Sequence, residues 1–169
     1  YLIRAYKDVP FVTEPSIDDT KDFFIGQTSF DSILNFLIAD MESITDQIKP
    51  KYLKELENTG RFTTTAIYAM LADMYLWKGD WENCVRCCEK VTTIKVDTDL
   101  KELIDKEGKA ITVTLYSDKY PLYKEDFQSQ NGNRVGNAYN MNFGEGNSFE
   151  VIFELPYDQK SKPDFISKY

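Results

Sequence analysis

Three cysteines lie close together in the sequence, at Cys84, Cys87 and Cys88. Their thiol groups could in principle bind zinc or exchange a disulfide. A structural zinc site takes four ligands, and this chain has no histidine to complete the set. A redox pair places its first cysteine at a helix N-terminus, whereas these cysteines are expected a turn or more into a helix. We therefore predict thiols on a packing face, at least one of them unpaired.

Acidic residues suggest two further kinds of chemistry. Residues 97–99 (Asp-Thr-Asp) hint at a calcium loop, but Lys101 and Glu102 stand where an EF-hand needs an oxygen ligand and a glycine. The acidic pairs at 18–19 and 125–126 could be imagined as glycosidase dyads, but adjacent side chains diverge. Histidine, the commonest general base, is absent. The sequence therefore predicts no catalytic residues, no metal site and no cofactor.

The best candidate for binding is the asparagine- and glycine-rich segment 128–147, which has no hydrophobic period and is predicted to be an irregular loop. A flat apolar ring can stack on the C–H face of a pyranose, and planar amides can fork to its hydroxyls. We therefore take four residues as candidate glycan-binding residues: Tyr139, Phe143, Asn140 and Asn142. The alternative is a loop whose aromatic rings fold inward onto the scaffold.

The clearest part of that scaffold is residues 61–92. Apolar and small residues recur there with helical spacing, at Ala66, Met70, Leu71, Met74 and Tyr75. Gly79 can take the left-handed conformation that ends a helix, and Asp80 can cap the next one. A second apolar face is expected at Trp81, Cys84, Val85, Cys88 and Val91. The segment predicts two antiparallel helices joined by a tight turn, with Trp77 and Trp81 in the core.

The spacing within this hairpin is similar to a tetratricopeptide repeat (TPR). Large, small, aromatic, glycine, aromatic and small residues follow in that order, at Leu71, Ala72, Tyr75, Gly79, Trp81 and Cys84. Val96 stands near the usual terminal proline, so the segment is TPR-like and not a full consensus match. One hairpin buries too little apolar surface to offset the entropy of ordering it. It must therefore pack on further elements.

A long helix is predicted before the hairpin, from a cap at Thr28 or Ser29 to about Ile48, closed by Pro50. Its apolar stripe is Phe30, Ile33, Leu34, Leu37, Met41, Ile44 and Ile48. After the hairpin, residues 112–116 fit a short strand or a loop. Residues 120–127 are interpreted as a helical turn or short helix with proline at its first position.

The charge balance is acidic, with 20 basic and 28 acidic residues and a net charge of -8. This balance repels phosphate backbones and argues against nucleic-acid binding. No apolar run approaches the roughly 18–20 residues of a membrane span. The sequence starts at Tyr1 without a methionine or a signal sequence, so we expect further sequence upstream.

Four segments, in this order, resemble the SusD/RagB-like glycan-binding lipoproteins. Residues 8–15 (DVPFVTEP) look like the family's GDVPLV-E-P element, and residues 40–42 (DME) look like its DL-A helix. Residues 60–81 are similar to the family's GR-T--A--ALLA--YL--GDW hairpin, and residues 149–157 (FEVIFELPY) to its EIIFEI-Y strand. Two positions depart from the pattern. Lys7 replaces a glycine, and Cys84 replaces a small residue.

The resemblance implies a mainly α fold, in which TPR-like hairpins form an α-α superhelix with irregular loops and one or two short strands. Residues 1–169 would then be a single fragment of a larger SusD-like domain. Within it we expect a TPR-like helical core at 28–95, a variable loop region at 96–148 and a strand at 149–157.

The resemblance also implies a function. Such proteins are not enzymes: they capture glycan at the outward face of the bacterial outer membrane and pass it to a SusC-type TonB-dependent transporter. They reach the membrane only through an N-terminal lipid anchor, which is absent from this sequence. The alternative function is a TPR-like protein–protein interaction module with no sugar binding.

Overall fold

The structure, a computed structural model, describes residues 1–15, 24–52, 59–97, 113–116, 120–123, 126–128, 134–139, 142–143 and 150–154. The fold is mainly helical, as predicted. Its helices are α1 (Leu2–Tyr6), α2 (Phe30–Ile44), α3 (Thr64–Lys78) and α4 (Trp81–Lys95). The described strands are β1 (Val9–Pro10), β2 (Gln27–Thr28), β3 (Val113–Tyr116), β4 (Tyr120–Tyr123), β5 (Asp126–Gln128) and β6 (Arg134–Asn137).

The turn between α3 and α4 follows the prediction from its glycine and its cap. Gly79 has φ 78° and ψ 15°, the left-handed conformation that ends a helix, and the Asp80 backbone N–H donates to the Tyr75 carbonyl at 3.0 Å. The Asp80 carboxylate accepts from the Asn83 backbone N–H at 3.2 Å and from its side-chain amide at 2.8 Å. These hydrogen bonds lower the pKa of Asp80, because they favour its charged form.

The hydrophobic core lies where α2 packs on the α3–α4 hairpin. Leu34 and Ile38 of α2 join Ile67 and Leu71 of α3 in one buried cluster, and the buried Cys87 brings α4 into it. The helix α2 begins as predicted, because the Ser29 side chain accepts from the Ser32 backbone N–H at 3.3 Å. It ends at Ile44, about one turn before the predicted end. The expectation that the hairpin packs on a further element is confirmed.

The predicted apolar face of α4 is partly wrong. Val91 is buried as expected, but Val85 and Cys88 are exposed, and the other buried residues are Cys87 and Lys95. Residues 87, 91 and 95 follow each other at intervals of four, so they form one row along the helix. That row faces the core, and the neighbouring row through residues 81, 85 and 88 faces outward.

The sequence predicted that both tryptophans, Trp77 and Trp81, lie in the core, and this prediction is wrong. Trp77 is 44% exposed and Trp81 is 65% exposed. Instead of lying in the core, Trp77 packs against Phe30 with ring centroids 6.4 Å apart. The Arg4 guanidinium lies 5.0 Å from the centroid of the Trp77 ring, so α1 also covers this tryptophan.

The strand predictions are partly right. The strand suggested within residues 112–116 is confirmed as β3, which pairs antiparallel with β4. Residues 120–127 were interpreted as helical, but the described part forms β4 and β5; Pro121 lies opposite Leu115 in a two-stranded sheet, where a proline is tolerated. β5 pairs with β6, inside the segment 128–147 that was expected to be irregular. The described residues thus contain six strands, more than the one or two expected.

The strand predicted at residues 149–157 is absent from its described part, residues 150–154. Residues 150–154 instead attach to the segment before α3 and to the end of α4. The Glu154 backbone N–H donates to the Thr59 carbonyl at 2.9 Å, and the buried Lys95 ammonium donates to the Val151 carbonyl at 3.0 Å. A β-branched and aromatic composition favours extended chain, but a strand also needs a neighbour to pair with.

A polar network links the three longest helices at the edge of the core. The Tyr75 hydroxyl of α3 donates to the Glu42 carboxylate of α2 at 2.5 Å, and the Arg86 guanidinium of α4 lies 3.4 Å from the same oxygen. Burial, followed by the hydrogen bond to Glu42, raises the pKa of Tyr75 from 10.0 to about 12. The neutral hydroxyl is therefore the form that the fold stabilises.

This raised pKa makes stability depend on pH. Because the folded pKa of Tyr75 exceeds the unfolded value, its contribution is complete below pH 10.0 and is lost as the pH rises through about 12. A rise of this size corresponds to at most roughly 2–3 kcal/mol, and solvent screening reduces this figure because the hydroxyl group is only partly buried. We expect wild type to exceed Tyr75→Phe in stability near neutral pH and to lose that advantage in alkali. Urea unfolding of both proteins across this pH range measures it, and an advantage that stays constant would contradict the expectation.

The N-terminal segment is attached to the start of α2. β1 pairs antiparallel with β2, and the Asp8 carboxylate accepts from the Phe30 backbone N–H at 2.9 Å, so an acidic group stabilises the positive end of α2. Lys7 precedes this contact with φ 65° and ψ -97°, a conformation that favours glycine. Its ammonium lies 4.8 Å from the centroid of the Phe30 ring and 5.6 Å from that of Trp77.

The conformation of Lys7 allows a test with two substitutions. Lys7→Ala removes the ammonium–ring contacts and keeps the strained backbone, whereas Lys7→Gly removes the contacts and the strain. We expect the glycine variant to be more stable than the alanine variant by about 1 kcal/mol, the reverse of the usual order in unstrained chain. Thermal unfolding of the pair measures this difference. A more stable alanine variant would show that this backbone is unstrained.

Candidate functional site

The candidate site is an exposed pair of aromatic rings, Tyr139 and Phe143. The two side chains are 71% and 77% exposed, and their ring centroids lie 5.2 Å apart with planes inclined by 42°. The short distance between the ring centroids shows that both side chains lie on one side of the chain. The rings point to solvent and do not fold inward onto the scaffold.

The amide next to Phe143 is held by a carboxylate. The Asn142 side-chain nitrogen donates to Glu150 Oε2 at 2.7 Å, which joins the aromatic pair to residues 150–154. Asn140, the other predicted amide, lies outside the described residues. The structure therefore brings together Tyr139, Phe143 and Asn142, and it adds Glu150, which the sequence had not singled out. A carboxylate accepts hydrogen bonds and so suits a ligand rich in hydroxyl donors.

A second aromatic surface, the Phe62–Phe153 ledge, was not predicted. The two rings stack with centroids 5.0 Å apart and planes only 11° from parallel, and they are 49% and 40% exposed. The Tyr52 hydroxyl donates to the Phe62 carbonyl at 3.0 Å, and the Arg61 guanidinium lies 5.8 Å from the Tyr52 ring centroid. Phe62 and Phe153 lie in two of the separate segments that resemble the SusD/RagB-like family. The sequence identified both segments but did not show that they are in contact.

Two of the three cysteines pack in or against the core, as predicted, but Cys88 does not. All three are free thiols: Cys87 is 1% exposed, Cys84 is half-buried and Cys88 is exposed. Burial raises the pKa of Cys87 and of Cys88, so neither thiol is activated as a nucleophile. Among the described residues, no three or more histidine, cysteine or acidic side chains cluster in a way that could hold a metal ion.

The acidic residues that the sequence analysis considered and set aside lie largely outside the described residues. The pair at 18–19 lies outside the described residues, as do Thr98 and Asp99 of the possible calcium loop and Glu125 of the second pair. Of the helices that the structure describes, none has the length and the apolar content needed to cross a bilayer.

Comparison with known proteins does not establish a family for this chain. No family model matches the chain, and no curated protein matches it. Among solved structures, the chain is similar to a SusD-like protein from Bacteroides fragilis, with a TM-score of 0.49 and 19% identity. The overlap covers 55% of this chain and 18% of that structure. The matched part is thus a small share of a much longer protein, and a likeness at this level establishes neither family membership nor activity.

Proposed function

We propose that this protein is a non-catalytic glycan-binding protein and that the Tyr139–Phe143 pair is its main contact with sugar. The observation that carries the proposal is the exposure of both rings, 71% and 77%, on the same side of the chain. Large aromatic side chains are costly to leave in water unless they are covered by something else. A pyranose ring covers such a surface with its C–H face and still keeps its hydroxyls hydrated.

The neighbouring polar groups fit a neutral glycan. Asn142 supplies an amide beside Phe143, and Glu150 supplies a carboxylate that can accept from sugar hydroxyls. The negative charge of Glu150 and the net charge of -8 disfavour glycans that carry carboxylates or sulfates. The proposed ligand is therefore an uncharged polysaccharide or oligosaccharide.

The wider role that we propose is delivery of this glycan to a SusC-type TonB-dependent transporter at the outward face of the outer membrane. This part depends on the four sequence segments that resemble the SusD/RagB-like lipoproteins. In the structure, residues 8–15 attach to the start of α2 through Asp8, and residues 60–81 contact residues 150–154 through Phe62 and Phe153.

A second candidate function is binding of a polypeptide by the TPR-like hairpin. The observation that favours it is a group of exposed apolar side chains near the turn between α3 and α4: Leu76 at 48%, Trp77 at 44%, Trp81 at 65% and Val85 at 57%. Aromatic residues of this kind are common in protein interfaces. This surface and the Tyr139–Phe143 pair are made by different residues, so the two functions can be separated by substitution.

The test is a screen of the protein against immobilised neutral and anionic polysaccharides by affinity gel electrophoresis. We expect retardation by at least one neutral polysaccharide and none by its carboxylated counterparts. Retardation that is lost in the Tyr139→Ala variant and kept in the Trp81→Ala variant would support the Tyr139–Phe143 pair as the binding site. If no glycan retards the protein and a polypeptide is captured through Trp81 instead, the second function replaces the first.

A further inference from the structure

The Phe62–Phe153 ledge is an aromatic surface to which the proposed function assigns no role. Phe153 is held at the surface by two anchors on either side of it, the hydrogen bonds from Lys95 to the Val151 carbonyl and from the Glu154 N–H to the Thr59 carbonyl. Both ends of the segment are therefore fixed to the helical scaffold. A side chain fixed in this way loses little entropy when a ligand covers it.

The same short segment connects the ledge to the candidate site. Glu150, at its start, accepts from Asn142 at 2.7 Å, and Asn142 is the sequence neighbour of Phe143. Glu150 and Phe153 are three residues apart, and a fully extended chain of this length spans at most about 11 Å. The two aromatic surfaces therefore lie along one run of backbone, within the reach of a ligand a few sugar rings long.

From this continuity we propose that the Phe62–Phe153 ledge is a second subsite for the same glycan, so that the ligand is an oligosaccharide extending from Tyr139 and Phe143 along residues 150–154. This inference rests on the proposed function. The parallel rings of the ledge, inclined by only 11°, offer two half-exposed faces and edges to a further sugar unit. A disaccharide would occupy the first site alone, and a longer chain would gain the contacts of the second.

The test uses the full chain and a series of neutral oligosaccharides, from disaccharide to hexasaccharide. They are prepared from a polysaccharide that retards the protein in the affinity gels. Calorimetric titration of wild type should show affinity rising with chain length. Phe153→Ala should weaken hexasaccharide binding by about threefold to tenfold and leave disaccharide binding unchanged. Phe62→Ala, which removes the other ring of the ledge, should have the same effect on hexasaccharide binding. Phe153→Tyr keeps the aromatic ring and should show the same dependence on chain length as wild type.

The controls separate a local effect from a failure to fold. Trp81→Ala removes an exposed ring from α4, and we expect it to leave the affinity for every oligosaccharide unchanged. Circular dichroism of each variant checks that the helices are intact. If both phenylalanine variants keep the wild-type length dependence while Tyr139→Ala still weakens binding, the second subsite is wrong and the proposed function stands. If no neutral oligosaccharide binds to wild type, both are wrong.

Discussion

Leu71→Ala is expected to destabilise the protein by about 2–5 kcal/mol, the range for truncating a well-packed leucine. Leu71 is 1% exposed and lies in the cluster that joins α2 to the hairpin. The Leu71 side chain stabilises the fold because its apolar surface is removed from water. It also fills space that would remain as a cavity if the side chain were truncated. In a domain of this size, a loss of several kcal/mol is a large part of the total free energy of unfolding.

The matched control is Leu76→Ala, the same substitution five residues along the same helix. Leu76 is 48% exposed, so its truncation creates no cavity, and we expect a cost below about 1 kcal/mol. Urea unfolding of both variants, followed by circular dichroism, measures the difference. Equal destabilisation by the two substitutions would mean that α3 does not bury its Leu71 face against α2.

The second large effect is expected in sugar binding. The double substitution Tyr139→Ala and Phe143→Ala removes both exposed rings, and we expect the affinity for a neutral glycan to fall by at least about tenfold to a hundredfold. The physical reason is that each ring supplies apolar contact to the C–H face of a sugar, and no other described residue of this site is aromatic. Calorimetric titration with an oligosaccharide from the screen measures the loss.

Folding of this double variant should be unaffected, because both rings are mainly in solvent. The unfolding midpoint of the variant is therefore the internal control for the binding measurement. Trp81→Ala removes an exposed ring of similar size from another surface and should bind glycan as wild type does. Comparable losses for both variants would show that the effect is not specific to the Tyr139–Phe143 pair.

The helical part of the fold could be predicted because local signals determine it. Ser29, Gly79 and Asp80 each stabilise a helix end through a contact within a few residues, and the structure shows each of these contacts. The buried side of α3 follows from its spacing in the same way. These features depend on neighbours in sequence, so a single sequence contains them.

The errors concern long-range packing. On α4, the outward row through Val85 is at least as apolar as the row through Cys87, so hydrophobicity alone does not show that the Cys87 row is the one buried in the core. Similarly, residues 150–154 have the composition of a strand, but the structure gives them helix ends as neighbours. Trp77 was expected in the core, but it is partly exposed and lies against Arg4 of α1, whose packing the sequence did not show.

The sequence predicted only part of the candidate site, and long-range packing again explains what it missed. The chemistry of Tyr139, Phe143 and Asn142 is visible in the sequence, because an aromatic pair spaced by four residues next to an amide is a local pattern. Glu150 and the Phe62–Phe153 ledge depend on chain segments that meet only after folding. The side-chain exposure that turns an aromatic pair into a binding surface is likewise a property of the folded chain.

The most direct measurement for sugar capture is a titration of isotopically labelled protein with a neutral oligosaccharide, followed by backbone and aromatic NMR signals. Binding at the proposed site predicts that the shifted signals concentrate at Tyr139, Asn142 and Phe143 and continue to Phe153. Shifts confined to Leu76–Trp81, or no shifts at concentrations where the affinity gel shows retention, would contradict it.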